Sequence, residues 1–409
     1  TCATGWRRLG GGDIVLVPTR AHMFRDAFAS EPTLTAIAEV HEPGAGTPSA
    51  LDPRATLARA LAALVRRGIA DELRVGVELE FHLFDAVRYR MTPTACGFSV
   101  AVRDAGIGGM RRGHAVAEPA RQLSPAPIDA AAAWRAELAA AAERIGLEPL
   151  GHRHEAGHGQ HEMALGHTSA VIAADRVQIA KALVLAAAAR GGRTATFMPM
   201  PLAAGPGSGL HLNLSFWRDG APLLAGPGGD ALARGFVGGL FAHARALNAL
   251  TNPATNSFKR LARLYAPGTR LVWGIANRGA AVRLPPAATP AAARLELRFP
   301  DAAANPYLAL AGLVMAGLDG IARGLDPGPL VGQDPRRGAV WDMRRRASPG
   351  FALNLAEAVA ALDADHAFLT ADGVFDPALC EALAVELAES VRRDCALPHP
   401  HEYEAYLGV

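Results

Sequence analysis

The stretch that decides the fold reads Leu73-Arg74-Val75-Gly76-Val77-Glu78-Leu79-Glu80-Phe81. Successive side chains of a β-strand point to opposite faces, so Glu78 and Glu80 share one face and the apolar side chains share the other. A strand of this kind belongs to a sheet that packs one face against a core. Its other face is either solvated or lines a cavity.

Two further segments repeat this alternation, at residues 209–217 and 294–299. Their polar rows are His211, Asn213 and Ser215 in the first segment, and Arg294, Glu296 and Arg298 in the second. One alternating strand usually forms the wet face of an antiparallel sheet. Three rows that combine acids, an imidazole and guanidinium groups indicate instead a cavity for divalent metals and phosphates, with Glu296 as a solvated cavity residue. The first hypothesis is a metal-dependent enzyme that uses ATP.

A fourth segment is rich in histidine. Residues 151–162 contain four His, two Glu and three Gly in twelve positions. Such a tract is often a solvated loop, but the glycines beside Glu155 and Glu162 predict two metal ligands held on a turn.

The composition excludes several classes of function. The chain has 409 residues and a formal net charge of +2, which argues against nucleic acid or an anionic membrane as the main partner. Its four cysteines have no CxxC spacing, so neither a zinc site nor a disulfide framework is predicted. No apolar run reaches about 18 residues and no signal peptide is recognisable, so the cytoplasm is the expected compartment.

The order of elements predicts an α+β fold. Strands are predicted at residues 13–18 and 34–40, followed by a linker over 41–49 and a helix that Asp52 caps and that runs to Gly68. Further helical patterns cover 129–145, 169–190, 230–250, 302–323, 352–363 and 377–393. Short strands are predicted near 271–275 and 280–284.

Six blocks of the sequence, in order, resemble the signature blocks of the glutamine synthetase superfamily. They are residues 76–81, 154–162, 207–211, 256–261, 277–283 and 294–301, and Asn305-Pro306-Tyr307-Leu308 completes the last one. The resemblance runs from about Gly5 to the C-terminus and is strongest to the γ-glutamylpolyamine synthetase branch.

The resemblance implies two domains and an oligomer. Residues 1–50 would form part of a small N-terminal β-grasp domain, and residues 51–409 a catalytic domain with a curved antiparallel sheet backed by helices. Thr1 lines up just after a catalytic Asp, so we expect half of the small domain to be absent. Family members form double rings, so a homo-oligomer, a dodecamer, is expected, with each active site at a subunit interface.

The resemblance also implies a metal site. One Mg²⁺ or Mn²⁺ ion would be held by Glu80, Glu155 and Glu162, and a second by Glu78, His211 and Glu296. Carboxylates with a single imidazole suit these ions better than zinc. ATP, as co-substrate, would phosphorylate the γ-carboxylate of glutamate, and an amine would then attack the acyl phosphate.

The remaining site residues follow from the same resemblance. The catalytic residues would be Arg278 and Arg298; the substrate-binding residues Gly207, Arg260, Tyr265 and Arg298; and the ATP-binding residues Asn213, Ser215, Arg278, Arg283 and Arg294. Guanidinium groups suit these roles because their planar fork pairs with carboxylate or phosphate through two hydrogen bonds.

Three departures from the family pattern narrow the function. Tyr265 occupies the place of a Glu that binds ammonium, which favours glutamate and a primary amine or polyamine as substrates. Asn213 stands where many relatives have His, and Pro206 stands where many have Asn. The alternatives are an ammonia-using glutamine synthetase, a ligase for another carboxylic acid, and a catalytically silent regulatory homologue.

Overall fold

The computed structural model describes residues 13–92, 94–102, 122, 124–126, 128–264, 271–332, 350–397, 399–400 and 402. Tyr265, on which the prediction of the amine depends, lies outside the described residues.

The N-terminal part is an antiparallel hairpin of β1 (Val15–Arg25) and β2 (Leu34–His41). Both strands are predicted from the sequence, but β1 continues well beyond its predicted end at Pro18. The register of the pair shifts between Pro18 and Met23. Proline has no N–H to donate, but both strands of a two-stranded sheet are edge strands, where proline is tolerated.

Within the described ranges, the central sheet has nine strands. Its strands are β3 (Glu72–Phe84), β6 (Pro149–His154), β7 (Gln160–Ser169), β8 (Thr194–Thr196), β9 (Leu210–Arg218), β10 (Ala221–Pro222), β11 (Trp273–Ile275), β12 (Val282–Leu284) and β13 (Leu295–Leu297). They run in the order β11-β12-β13-β9-β3-β7-β6, with β10 paired to β9 and β8 to β3. Every pair is antiparallel except β11 with β12. The three alternating segments, far apart in sequence, therefore become the neighbouring strands β3, β9 and β13.

A separate exposed hairpin follows β3 and was not predicted. It consists of β4 (Ala86–Thr92) and β5 (Ala95–Ala101), with Tyr89 opposite Phe98. Its strand β4 alternates apolar with polar side chains, so the sequence did offer a strand signal, although the apolar side chains of the hairpin are exposed instead of buried.

Helices cover the sheet. They are α1 (Pro53–Arg66), α2 (Ala132–Arg144), α3 (Ala170–Arg190), α4 (Gly229–Ala242), α5 (Ala244–Thr251), α6 (Thr255–Leu264), α7 (Pro306–Ala322), α8 (Leu355–Ala364), α9 (Ala367–Thr370) and α10 (Pro377–Cys395). The predicted helix over 230–250 is two helices that meet at His243, and α6 was not predicted. The Asp52 cap is confirmed, since its side chain accepts from the N–H of Arg54 at 2.9 Å.

The apolar row of β3 fixes the orientation of the sheet. Val75, Val77, Leu79 and Phe81 are almost fully buried in one large core, which also contains the inward side of α3. The polar row of β3 must then face away from that core, as predicted. Over the part of the chain that the structure describes, none of the helices combines the length and apolarity that a membrane span requires.

Candidate active site

Strand register brings the predicted acids together. Glu78 lies directly opposite His211 on β9, and Glu80 lies opposite Glu162 on β7. Asn213, two residues beyond His211, lies opposite Glu296 on β13. Directly opposed side chains are about 5 Å apart at their Cβ atoms. Four adjacent strands therefore build one polar surface.

The centre of this surface is a group of three potential metal ligands. Glu78, Glu162 and His211 each offer one ligand atom, and these atoms lie within 4.8 Å of one another. Nδ1 of His211 lies 3.1 Å from Oε2 of Glu78, and its Nε2 lies 3.8 Å from Oε1 of Glu80. Two carboxylates and an imidazole fit a hard divalent cation such as Mg²⁺ or Mn²⁺. The group combines members of both predicted triads.

Glu80 is held beside this group by neutral donors. Its Oε2 accepts the backbone N–H of Gly209 at 2.6 Å and the side-chain amide of Gln160 at 3.3 Å. Its other oxygen is directed toward His211. These hydrogen bonds fix the carboxylate while leaving an oxygen available for a ligand.

Glu155 and Glu162 share an arginine. Nε of Arg153 donates to Oε1 of Glu162 at 2.8 Å and lies 3.0 Å from Oε1 of Glu155. Of the two predicted turn ligands, only Glu155 lies outside the strands, whereas Glu162 lies within β7. The glycine-rich turn is therefore shorter than predicted, because β7 already begins at Gln160.

The protonation tendencies of these acids diverge. Burial would raise the pKa of Glu78, but hydrogen bonds from His211 and Asn213 outweigh it and lower the pKa to about 2. Burial and the nearby charge of Glu78 raise the pKa of Glu162 to about 7, although Arg153 partly offsets them. Burial and Glu80 also raise the pKa of Glu155. Neighbouring carboxylates repel one another when all of them are ionised, and a bound cation would offset this repulsion.

Glu296 is buried, which corrects the expectation of a solvated cavity residue. Its side chain is 1% exposed, and Arg283 and Arg298 each donate to one of its oxygens. The bond from Nη1 of Arg283 measures 2.5 Å. Two guanidinium groups replace the water that the acid would otherwise need.

Beside the acids lies a cavity of about 160 Å³. It is lined by predicted site residues, by Gln160 and by several small or apolar neighbours: Glu80, Glu155, Ala156, Gln160, Pro206, Gly207, His211, Arg260, Leu264, Arg278, Gly279 and Arg298. The lining therefore combines carboxylates with guanidinium groups. Such a cavity can accommodate an anionic group between a metal and guanidinium donors.

Arg260 differs in its contacts from the other arginines. It is 2% exposed and donates to the backbone carbonyls of Arg298, Phe299 and Pro300 at 2.9 to 3.2 Å. Its guanidinium therefore holds the segment that follows β13, while its side chain also lines the cavity.

The predicted nucleotide-binding residues are distributed around the acids. Asn213 donates to Glu78 at 3.3 Å and accepts from Nε of Arg294 at 3.0 Å. The hydroxyl of Ser215 donates to the carbonyl of Ala293 at 3.1 Å. Arg278 is exposed at the cavity wall, and its carbonyl accepts from Nε of Arg298 at 3.1 Å.

Sequence reasoning missed Arg153, Gln160 and His82. Arg153 lies between His152 and His154. Because the chain is rich in arginine, nothing in the sequence distinguished this arginine as one that would contact two acids. His82 was recognisable, because it continues the row of Glu78 and Glu80 on β3 by one further step of two residues.

Comparisons with known proteins show the family and the fold. The glutamine synthetase catalytic-domain family matches residues 50–406. The glutamine synthetase of Rhizobium meliloti (strain 1021) is 36% identical over 417 residues, which cover 99% of this chain and 88% of that protein. In fold, the Plasmodium falciparum glutamine synthetase has a TM-score of 0.85 at 23% identity, covering 97% of this chain and 87% of that chain. The ligand-free form of GmaS has a TM-score of 0.79 at 31% identity, covering 97% and 86%.

The fold and the acid-lined site thus define an ATP-dependent ligase that forms C–N bonds. The chain belongs to the glutamine synthetase family. Members of this family bind glutamate and ATP, use divalent metals and are oligomeric.

Proposed function

We propose that this ligase joins glutamate to a primary amine through a γ-glutamyl phosphate, giving a γ-glutamyl amide. The observation that carries the proposal is the group Glu78, Glu162 and His211 beside a cavity that Arg278 and Arg298 line. Acids for metals and arginines for anions, side by side, suit the transfer of a phosphoryl group to a carboxylate.

Two Mg²⁺ or Mn²⁺ ions are the proposed cofactors. Their proposed ligands are Glu80, Glu155 and Glu162 for one ion, and Glu78, His211 and Glu296 for the other. When bound, these ions would neutralise phosphate charge and polarise the transferring phosphoryl group. The residues themselves supply a fixed set of oxygen and nitrogen donors, since hydrogen bonds already orient Glu78 and Glu80.

The arginines have two proposed tasks. Arg278, Arg283 and Arg294, with Asn213 and Ser215, would hold the phosphates of ATP. Arg260 and Arg298, with Gly207, would hold the carboxylates of glutamate and the acyl phosphate. The γ-carboxylate oxygen would attack the terminal phosphorus of ATP and release ADP. The amine nitrogen would then form a bond to the acyl carbon, release phosphate and lose a proton.

The organic amine is the finer part of the proposal, and it rests on Tyr265. An ammonium ion in a buried site needs a carboxylate to offset its desolvation, and a phenol does not supply that charge. The aromatic ring can instead contact the carbon chain of a primary amine or polyamine. The likeness to GmaS, a γ-glutamylmethylamide synthetase, supports the use of an amine.

Ammonia remains the second candidate nucleophile. The Rhizobium meliloti relative, at 36% identity, is named glutamine synthetase, which favours ammonia. Pro206 lines the cavity and keeps another carboxylic acid under consideration. A catalytically silent homologue is less favoured, because the proposed metal ligands Glu78, Glu162 and His211 lie close together.

We also propose a division of the chain into an N-terminal β-grasp region, residues 1–50, and a catalytic domain, residues 51–409. The proposed assembly is a dodecamer in the cytoplasm, with active sites at subunit interfaces. Light scattering checks the assembly, and a monomer at working concentration would contradict it.

The test of function is phosphate release with ATP, Mg²⁺, glutamate and a panel of amines that includes ammonia, methylamine and putrescine. We expect release to depend on glutamate and to be faster with an organic amine. If the enzyme forms glutamine rapidly and no organic amine increases phosphate release, the nucleophile is ammonia and the proposal of an organic amine is wrong.

Tyr265→Glu tests the origin of the preference. It should raise kcat/KM for ammonia and lower it for the larger amine, with Tyr265→Phe as the matched control that keeps the ring. If Tyr265→Glu leaves the ratio of kcat/KM for ammonia to kcat/KM for the larger amine unchanged, Tyr265 does not belong to the amine site.

A further inference from the structure

The turn that precedes β9 has very little space around its backbone. It consists of Gly207, Ser208 and Gly209. A Cβ on Gly207 would lie 2.1 Å from the carbonyl oxygen of Pro199, and one on Gly209 would lie 2.5 Å from Nη2 of Arg260. Gly207 is therefore required for space, because the atom its Cβ would meet belongs to the backbone, whereas a Cβ on Gly209 would displace the guanidinium of Arg260. Neither glycine offers a side chain to hold the turn.

Ser208 supplies the one side chain of this turn, and His82 holds it. Its Oγ lies 2.9 Å from Nδ1 of His82, and its backbone N–H donates to Pro199 at 2.8 Å. Both His82 and Ser208 are fully buried. His82 lies on β3, 126 positions from Ser208 in the chain, on the same strand face as Glu78 and Glu80.

The same turn also orients Glu80. Gly209 donates its N–H to Oε2 of Glu80 at 2.6 Å, and the backbone N–H of Glu80 donates to the carbonyl of Gly209 at 3.0 Å. The side-chain amide of Gln160 donates both to the carbonyl of Gly207, at 3.0 Å, and to Oε2 of Glu80, at 3.3 Å. A displaced turn would therefore move Glu80 and Gln160 together.

The link does not depend on pH in the working range. Burial, with a smaller effect of His154, lowers the pKa of His82 to about 3, so the imidazole stays neutral. A neutral ring can share one proton with a hydroxyl group whichever tautomer is present.

We propose that His82 is a positioning residue, which holds Ser208 so that the turn presents Glu80 to a divalent ion and Gly207 to the acid substrate. The effect on metal binding follows from the contacts of Glu80, whereas the effect on binding of the acid substrate rests on the proposed function. His82 touches neither metal nor substrate, and acts through the turn.

The experiment uses His82→Phe, which keeps an aromatic ring, Ser208→Ala, and the double variant. Mn²⁺ binding is titrated calorimetrically, and KM is measured for glutamate and for ATP. We expect each single variant to weaken Mn²⁺ binding and raise KM for glutamate about five- to tenfold, and to change KM for ATP less than twofold. The double variant should be no worse than either single one, because both break the same link.

Two controls separate positioning from a general loss of stability. His41→Phe and Ser49→Ala remove a buried imidazole and a buried hydroxyl of the N-terminal region, where their partners are Glu39 and Glu42. They should leave the Mn²⁺ affinity and the KM for glutamate unchanged, even where they lower the melting temperature as much as the variants of His82 and Ser208 do. His82→Asn, whose amide can replace Nδ1, should recover part of the glutamate KM.

The outcomes are distinct. Lower melting temperatures with unchanged Mn²⁺ affinity and glutamate KM would reduce the contact to a structural role and overturn the proposal, as would additive effects in the double variant. If the unmodified enzyme does not use glutamate, the proposed function fails, and the Mn²⁺ titration still decides the role of His82.

Discussion

Arg153 donates its Nε to Oε1 of Glu162 at 2.8 Å and lies 3.0 Å from Oε1 of Glu155 with the same nitrogen. An internal cation thus binds two of the acids that we propose as metal ligands. Its side chain is 39% exposed, so it can rotate toward solvent. A divalent ion that binds these acids must compete with the guanidinium group.

Arg153→Gln is therefore expected to tighten Mn²⁺ binding several-fold. The variant removes the competing charge while keeping a polar, uncharged side chain. Calorimetric titration measures the effect, and Arg67→Gln, which breaks a surface pair with Asp372, is the matched control. Weaker binding in Arg153→Gln would mean that the arginine orients the ligands instead of competing for them.

Replacing Glu296 should affect catalysis and stability to different extents. Glu296→Gln keeps one acceptor oxygen and replaces the other with an amide NH2 group, which cannot accept from an arginine. We therefore expect a loss of at least about 100-fold in kcat, with a smaller loss of stability than in Glu296→Ala. Glu296→Ala leaves two largely buried guanidinium groups without an anion and should also cost about 2–4 kcal/mol of stability. ADP release and thermal melts separate the two effects. Equal stability of both variants would show that the arginines find other partners.

Asp175 ties the N-terminal hairpin to the catalytic core. Its buried carboxylate lies 3.2 Å from Nδ1 of His22, accepts from Nε of Arg54 at 3.0 Å and accepts from the hydroxyl of Tyr307 at 2.7 Å. Asp175→Asn should lower the free energy of unfolding by about 2–4 kcal/mol and speed hydrogen exchange in β1 and β2. Asp372→Asn, which breaks the exposed pair with Arg67, should change stability by less than about 1 kcal/mol. Unaltered exchange in β1 in the Asp175 variant would contradict the role of this tie.

His243 gives a pH dependence of stability. It lies 2.8 Å from both Asp319 and Asp365, and although burial opposes its charge, these acids raise its pKa above the usual 6.5. A raised pKa means that its contribution is fully present below pH 6.5 and is lost as the pH rises through the folded-state value. The melting temperature of wild type should exceed that of His243→Gln at pH 6 by more than it does at pH 9. A difference that grows toward alkaline pH would refute the charged pair.

Local sequence patterns determined much of this protein. The alternation in β3 and β9 requires only the two-residue period of a strand, and Asp52, Asn305 and Asp376 each cap a helix whose first residue is proline. These signals act over a few residues, so the sequence shows them directly. The family blocks carry the class of reaction for the same reason, since each is a short, contiguous set of side chains.

The tertiary structure decided which of these side chains meet. Strand register places Glu162 with Glu78 and His211, and not only with the acids of its predicted triad. It also brings His82 to Ser208 across 126 positions of the chain. The sequence alone could not determine these contacts, because a shift of one residue in any pairing would turn every polar side chain of that strand to the opposite face. Packing of the whole apolar row against the core selects the one register in which the acids, the arginines and the glycine turn share a cavity.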